Sequence, residues 1–317
     1  MDRLIFRTLV LPATALAVTC SPERAIAQAC AWGERTPNPA ARNGHAMAYD
    51  GGRATTILFG GYAAYDRNGE TWEWDGQSWS KLAVAGPSAR AGHAMAYDAQ
   101  RGVVVLFGGS DASYDDNGET WEWDGTSWVL RATSGPTPRR RHAMAYDSAR
   151  GVTVLFGGYN THYSSETWEW DGTAWTLRST DGPSARAGHA MTYDATRGVT
   201  VLFGGYGGEY SGDTWEWDGT AWALRNTGGP APRSSHAFAF DSARGVSVLF
   251  GGYDGQYYGD TWEWDGASWT FRAAAGPSDT APHWCMTRAG PSRSSLAEMT
   301  RTAPMPKRGH STGMKGW

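Results

Sequence analysis

His142-Ala143-Met144-Ala145-Tyr146-Asp147 opens the phrase whose reading decides the fold of this 317-residue chain. It runs on through Arg150-Gly151-Val152-Thr153-Val154-Leu155-Phe156-Gly157-Gly158, then a polar loop, then Glu166-Thr167-Trp168-Glu169-Trp170-Asp171-Gly172 and Ala174-Trp175-Thr176-Leu177-Arg178. His45, His93, His189 and His236 open four further copies, at spacings of 47 to 49 residues. Within each copy, stretches of four to seven residues alternate or are β-branched and stop at Gly or Asp-Gly, which is strand and turn chemistry. Four strands per copy are predicted. Arg-Gly between the first two and Asp-Gly between the last two suit tight hairpins, so the strands run antiparallel. A lone four-stranded sheet with Trp on one face and Val or Leu on the other cannot bury both, and neighbouring copies must cover them. Radial stacking does this, and the fold class predicted is an all-β propeller of four-stranded antiparallel blades.

Gly60-Gly61, Gly108-Gly109, Gly157-Gly158, Gly204-Gly205 and Gly251-Gly252 each end a hydrophobic strand. Trp79, Trp128, Trp175, Trp222 and Trp269 follow in the last strand of each copy. A hydrophobic strand ending in a Gly-Gly doublet, followed by an aromatic strand and a later Trp, resembles the kelch repeat, here over residues 32 to 272. The resemblance implies a blade whose first strand lines a central channel, with the loops between strands two and three sharing one face with the inter-blade loops. It implies no single activity, because one fold hosts adaptors, lectin-like binders and a few oxidases.

The N-terminus has Arg3 and Arg7, an apolar run from Thr8 to Val18 and the small-x-small pattern Ala25-Ile26-Ala27. This is read as an export signal covering residues 1–27, cleaved after Ala27, with a secreted, periplasmic or cell-surface product. The rival is lipidation at Cys30, against which stands Ala27 where such sites usually carry Leu. The apolar run is too short for a transmembrane segment, which needs about 20 residues. Cys20, Cys30 and Cys285 are the only cysteines, too few for a disulfide framework or a CxxC metal site. A net charge of -4 supplies no basic field for phosphate backbones, so nucleic acid is excluded as a partner.

Residues 28–278 are assigned to the propeller and residues 279–317 to an irregular tail. Read from the third base of each codon, His283-Trp284-Cys285-Met286-Thr287 can encode only Leu-Val-(Tyr or His)-Asp, close to the Met-Ala-Tyr-Asp of the repeats. In that frame Arg293 to Glu298 permits Val-Leu-Phe-Gly-Gly, and the tail is read as a frameshifted sixth repeat. Trp32 stands 13 residues before His45, much as Trp79 precedes His93, and is expected to be the last strand of that blade. With its other strands scrambled, the ring is expected to be open, five complete blades plus a disrupted sixth.

What recurs in every blade is expected to be scaffold. The repeated His is assigned to structure, not metal, because a zinc site needs three or four ligands about 2.0–2.1 Å from one ion. The paired Trp residues, such as Trp168 and Trp170, are assigned to the core, and Glu169 to an ion pair with Arg178. Two sets are candidate ligand contacts. Arg42, Arg90, Arg139, Arg186 and Arg233 each stand three residues before the His. They are expected either to ring the channel mouth and bind a carboxylate, sulfate or phosphate, or to pair with Glu70, Glu119, Glu166, Asp213 and Asp260. Tyr65, Tyr114, Tyr163, Tyr210 and Tyr257 lie in the loops after Gly-Gly, where a flat apolar ring with a polar tip suits sugars or peptides.

The function expected is a binding or interaction scaffold for a protein, peptide or glycan, with no catalytic residues, no metal and no cofactor. One alternative is a copper-radical enzyme resembling galactose oxidase. That chemistry needs a Cys cross-linked to Tyr, and no Cys lies between Trp32 and Arg272. The other is a purely structural surface or adhesion protein.

Overall fold

The computed structural model describes residues 38–63 and 66–274. The signal and its cleavage site, Cys30, Trp32 and the tail from Asp279 lie outside the described residues. Blade 1 consists of β1 (Ala46–Asp50), β2 (Thr55–Phe59), β5 (Thr71–Trp74) and β6 (Trp79–Leu82), with a small ribbon of β3 (Tyr62–Ala63) and β4 (Asp66–Arg67) between its middle strands. Blade 2 is β7 (Ala94–Asp98), β8 (Val103–Phe107), β9 (Thr120–Trp123) and β10 (Trp128–Ala132). Blade 3 is β11 (Ala143–Asp147), β12 (Val152–Phe156), β13 (Thr167–Trp170) and β14 (Trp175–Ser179). Blade 4 is β15 (Ala190–Asp194), β16 (Val199–Phe203), β17 (Thr214–Trp217) and β18 (Trp222–Asn226). Blade 5 is β19 (Ala237–Asp241), β20 (Val246–Tyr253), β21 (Tyr257–Trp264) and β22 (Trp269–Ala273). Every pairing is antiparallel. The first strands of adjacent blades pack on one another, β1 on β7, β7 on β11, β11 on β15 and β15 on β19, so they line the axis of a β-propeller.

The alternation in each strand sorts residues between two blade faces. Ala143, Ala145, Val154 and Phe156 face forward and meet Met191, Leu202 and Trp217 of the next blade. The junctions from blade 2 onward repeat two hydrogen bonds from indoles, whereas that of blades 1 and 2 has, among the described residues, Trp128 Nε1 to Thr71 alone. Trp170 Nε1 donates to Glu122 at 3.1 Å and Trp175 Nε1 to Thr120 at 2.7 Å, and Trp217 and Trp222 do the same to Glu169 and Thr167. Arg178 shares the forward face with Thr176, and a bulge in the outer strand leaves it without a cross-strand partner between Leu177 and Ser179. There its Nε reaches Glu169 Oε2 at 2.7 Å, while Arg150 and Trp217 occupy the other oxygen. Three donors on one buried carboxylate offset its desolvation.

The Gly-Gly doublet has a steric cause. A Cβ on Gly157 would lie 2.6 Å from the Arg186 carbonyl and 2.8 Å from His189 Cε1 of the next blade, and one on Gly158 would lie 2.9 Å from His142 Cβ. Both glycines also have positive φ, 67° and 102°. The first glycine of the doublet is therefore a point of close approach between two blades.

The end blades lack a neighbour among the described residues. Val248 of blade 5 is half-buried where Val105, Val154 and Val201 are fully buried, and the Asp241 side chain is 29% exposed where that of Asp194 is 2%. Trp74 of blade 1 is likewise more open than Trp123, Trp170, Trp217 and Trp264. Among the described residues no helix is long and apolar enough to cross a membrane.

Candidate functional site

One face of the propeller is organised by the segments that lead into the first strands. The residue after each recurring Arg forms a bridge with the residue after Gly-Gly: Asn43 with Tyr62, Ala91 with Ser110, Arg140 with Tyr159, Ala187 with Tyr206 and Ser234 with Tyr253. The loops between strands two and three therefore sit beside the channel mouth. The next residue in each lead-in, Gly44, Gly92, Arg141, Gly188 or Ser235, has φ between 56° and 72°. These five are linked through their backbones: Gly92 donates to Gly44 at 2.7 Å, Arg141 to Gly92 at 2.7 Å, Gly188 to Arg141 at 2.8 Å and Ser235 to Gly188 at 2.7 Å.

The structure places Arg42, Arg90, Arg139, Arg186 and Arg233 in the second of the two expected arrangements. Their side chains are buried, and each pairs with an acid at the start of the third strand: Glu70 at 2.9 Å, Glu119 at 2.8 Å, Glu166 at 2.5 Å, Asp213 at 2.6 Å and Asp260 at 2.5 Å. A second nitrogen donates to the first glycine carbonyl of the doublet, as Arg90 Nη1 does to Gly108 at 3.2 Å. No open ring of guanidinium donors faces solvent here. The correction has a clear cause: a buried guanidinium needs every donor satisfied, and the blade supplies a carboxylate and carbonyls at the right reach. Burial pushes the Glu70 carboxyl up, but donors from Lys81, Trp72, Arg42 and Asn68 outweigh it and hold it at about 2.

The tyrosines behave differently. Tyr163, Tyr210 and Tyr257 are brought into one continuous arc with three that follow the doublets directly, Tyr159, Tyr206 and Tyr253. Ring centroids step from Tyr159 to Tyr163 at 5.0 Å, to Tyr206 at 5.9 Å, to Tyr210 at 4.9 Å, to Tyr253 at 6.3 Å and to Tyr257 at 4.8 Å. Tilted and edge-on contacts of this length stabilise the rings against each other. Tyr257 is 61% exposed. Sequence reasoning found one tyrosine of each pair. The other was signalled by Tyr at the first position after Gly-Gly in blades 1, 3, 4 and 5. A hollow of about 340 Å³ beside the arc is lined by Ser184, Gly207, Gly208, Glu209, Tyr210 and Ser211.

Blade 2 interrupts the arc, with Ser110 where the other blades have Tyr. Tyr114 stands apart there, 67% exposed and at φ 68°, with the Arg67 guanidinium 4.0 Å from its ring centre. Tyr65 lies outside the described residues. Around all five blades the described loop residues after the doublets include no Leu, Ile, Val, Met, Phe or Trp.

The repeated histidines lie between blades. His93, His142, His189 and His236 are buried, each edge-on to a Phe of the preceding blade, with centroids 5.3–5.5 Å apart. Burial, with a nearby Arg in each case, holds His93, His189 and His236 at about 3 and His142 well below its usual value. Among the described residues no group of three or more His, Cys, Asp or Glu could hold a metal ion.

The sequence matches the KLHDC2/KLHL20/DRC7 Kelch-repeats domain over residues 70–215 and again over 120–287, together more than half of the chain. No curated protein matches it. Among solved structures, that of YjhT is similar in fold, with a TM-score of 0.62 over 73% of this chain and 84% of that one, at 16% identity.

Proposed function

Because the chain belongs to the kelch-repeat family, we propose that it acts as a binding scaffold whose tyrosine-bearing face takes a polypeptide partner. The observation that carries this reading is the arc of six tyrosines across three blades, held on loops whose other residues are Ser, Thr, Asn, Asp, Gly, Glu, Gln and His. Tyr supplies large contact area with two side-chain torsions to fix, and Ser, Gly and Asn supply adaptable hydrogen bonds. This is the composition of loops that recognise proteins. The recurring Arg, His and Trp residues are buried within and between blades, so specificity is assigned to the residues that differ between blades. The proposal is of binding without catalysis, by a protein exported through its N-terminal signal.

The test is retention of purified protein on an array of immobilised 15-residue peptides, with immobilised polysaccharides in parallel. Tyr163→Ser and Tyr210→Ser together are expected to abolish retention while the melting temperature stays within a few degrees. Retention that survives the double substitution sinks this face as the site. Retention on polysaccharides alone replaces the polypeptide with a glycan.

A further inference from the structure

Ion pairing in this molecule is close to saturated. Every arginine among the described residues except Arg67 and Arg141 reaches a carboxylate, and so does Lys81. Both exceptions lie on the loop face, and both converge on blade 2. Arg67 Nη2 donates to Ser110 Oγ at 3.3 Å, its guanidinium lies over Tyr114, and its Nε is buried without a partner among the described residues. Arg141 is exposed, and its stem passes over Gly92, where a Cβ would come 3.6 Å from Arg141 Cγ. Ala91 and Ser110 form a bridge, with Arg67 bonded to Ser110 and Arg141 beside Gly92, the residue that follows Ala91.

A second, independent feature marks the same place. Positive φ is uncommon outside glycine, costs on the order of 1–2 kcal/mol, and clusters at functional sites when bulky residues adopt it. Among the described residues only four non-glycine residues have it, and Tyr114 and Arg141 are two of them. At the position of Arg141, blades 1, 2 and 4 have Gly. The linked lead-ins set that conformation, since Ser235 adopts it in blade 5, but they call for no cation there, and Arg141 has no carboxylate partner among the described residues.

Nearby charges narrow the chemistry. Arg140 is spent on Asp116 at 2.6 Å and lies 5.1 Å from the Tyr159 ring centre. Asp111 accepts the amides of Ser113 and Asp115, and Asp115, next to Tyr114, and Asp66, next to Arg67, are exposed and pair with no arginine among the described residues. Two guanidiniums without a carboxylate partner among the described residues are thus left on the loop face, one of them over an exposed phenol ring. We infer that Arg67, Tyr114 and Arg141 form a subsite for an acidic stretch of the polypeptide partner, an inference that rests on the binding face proposed above. Carboxylate side chains would give the two guanidiniums the ion pairs that no described residue gives them, and Tyr114 would cover the adjoining apolar stem.

The experiment uses the full chain and the same array of 15-residue peptides, scored for Asp and Glu content, followed by fluorescence-anisotropy titration of the best acidic binder. Wild-type protein is expected to retain peptides enriched in Asp and Glu. Arg141→Gly and Arg67→Gln are each expected to weaken the titrated peptide about tenfold, one charge-assisted bond apiece. Arg141→Gly introduces the residue found at this place in three other blades, so its melting temperature should hold or rise while affinity falls. Arg67→Lys keeps the charge and tests the stacking separately. Peptides retained without acidic enrichment, or an enrichment that the double variant preserves, overturn the subsite and leave the tyrosine face standing. An array that retains nothing overturns both.

Discussion

Acid should unfold this protein earlier than its carboxylates alone would predict. His93, His189 and His236 are buried between blades and held at about 3, whereas an unfolded histidine titrates near 6.5. Between those two values the unfolded chain binds protons that the folded chain refuses, so stability rises with pH through the window and is lost as pH falls below about 6.5. Each histidine contributes about 1.4 kcal/mol per pH unit, and three together about 4 kcal/mol per unit. At pH 5 the accumulated loss is about 6 kcal/mol, comparable to the whole stability of an ordinary domain. The assay is urea unfolding at pH 7.5, 6.5, 5.5 and 5.0, with the slope of unfolding free energy against pH converted to protons. A slope of at least three protons is expected at pH 5.0 to 5.5, because His142, also held well below its usual value, adds to the other three, and it should fall by about one in His189→Gln. A slope below one proton there would refute the burial argument, because it would mean that the folded interfaces accept the charge.

Three further outcomes are expected. Gly157→Ala should cost about 3 kcal/mol in denaturant unfolding, because its Cβ would strike the Arg186 carbonyl and His189. Gly76→Ala, where nothing lies within 4 Å, should cost only about 1 kcal/mol for its positive φ. Glu122→Gln should cost about 3 kcal/mol by removing the buried charge that Arg101, Arg131 and Trp170 share, whereas Glu73→Gln at the same repeat position should stay within about 0.5 kcal/mol, since Glu73 makes none of these bonds. N-terminal sequencing of exported protein should begin at Gln28, and a start at Met1 would remove the export signal from the proposal.

The blades were legible because every strand and turn is written five times. Alternation gives the face of each side chain, and Arg-Gly, Asp-Gly and Gly-Gly fix the turns and the close approach of neighbours. The fate of the five arginines was not legible. The same residues fit an open ring or buried pairs, and only the depth of Arg90 beneath Gly108, set by the packing of whole blades, separates the two. The tyrosine arc was half legible, since Tyr163 and Tyr159 are four residues apart in sequence and become neighbours only when the loop folds back across its bridge. Arg67 and Arg141 could not be singled out in the sequence, because being unpaired is a property of everything else having found a partner.

The backbone links from Gly44 through Gly92, Arg141 and Gly188 to Ser235 make a hoop around the mouth. Each link joins two blades, so no lead-in segment can swing outward alone without breaking a bond to its neighbour and parting a Trp-lined seam below it. The amides of Gly92, Arg141, Gly188 and Ser235 should therefore exchange with solvent as one slow group, near the free energy of global opening. Loops rooted in such a hoop arrive at a partner already ordered. The entropy that a mobile loop surrenders on docking has been surrendered at folding, so a small contact surface here can bind more tightly than its area suggests.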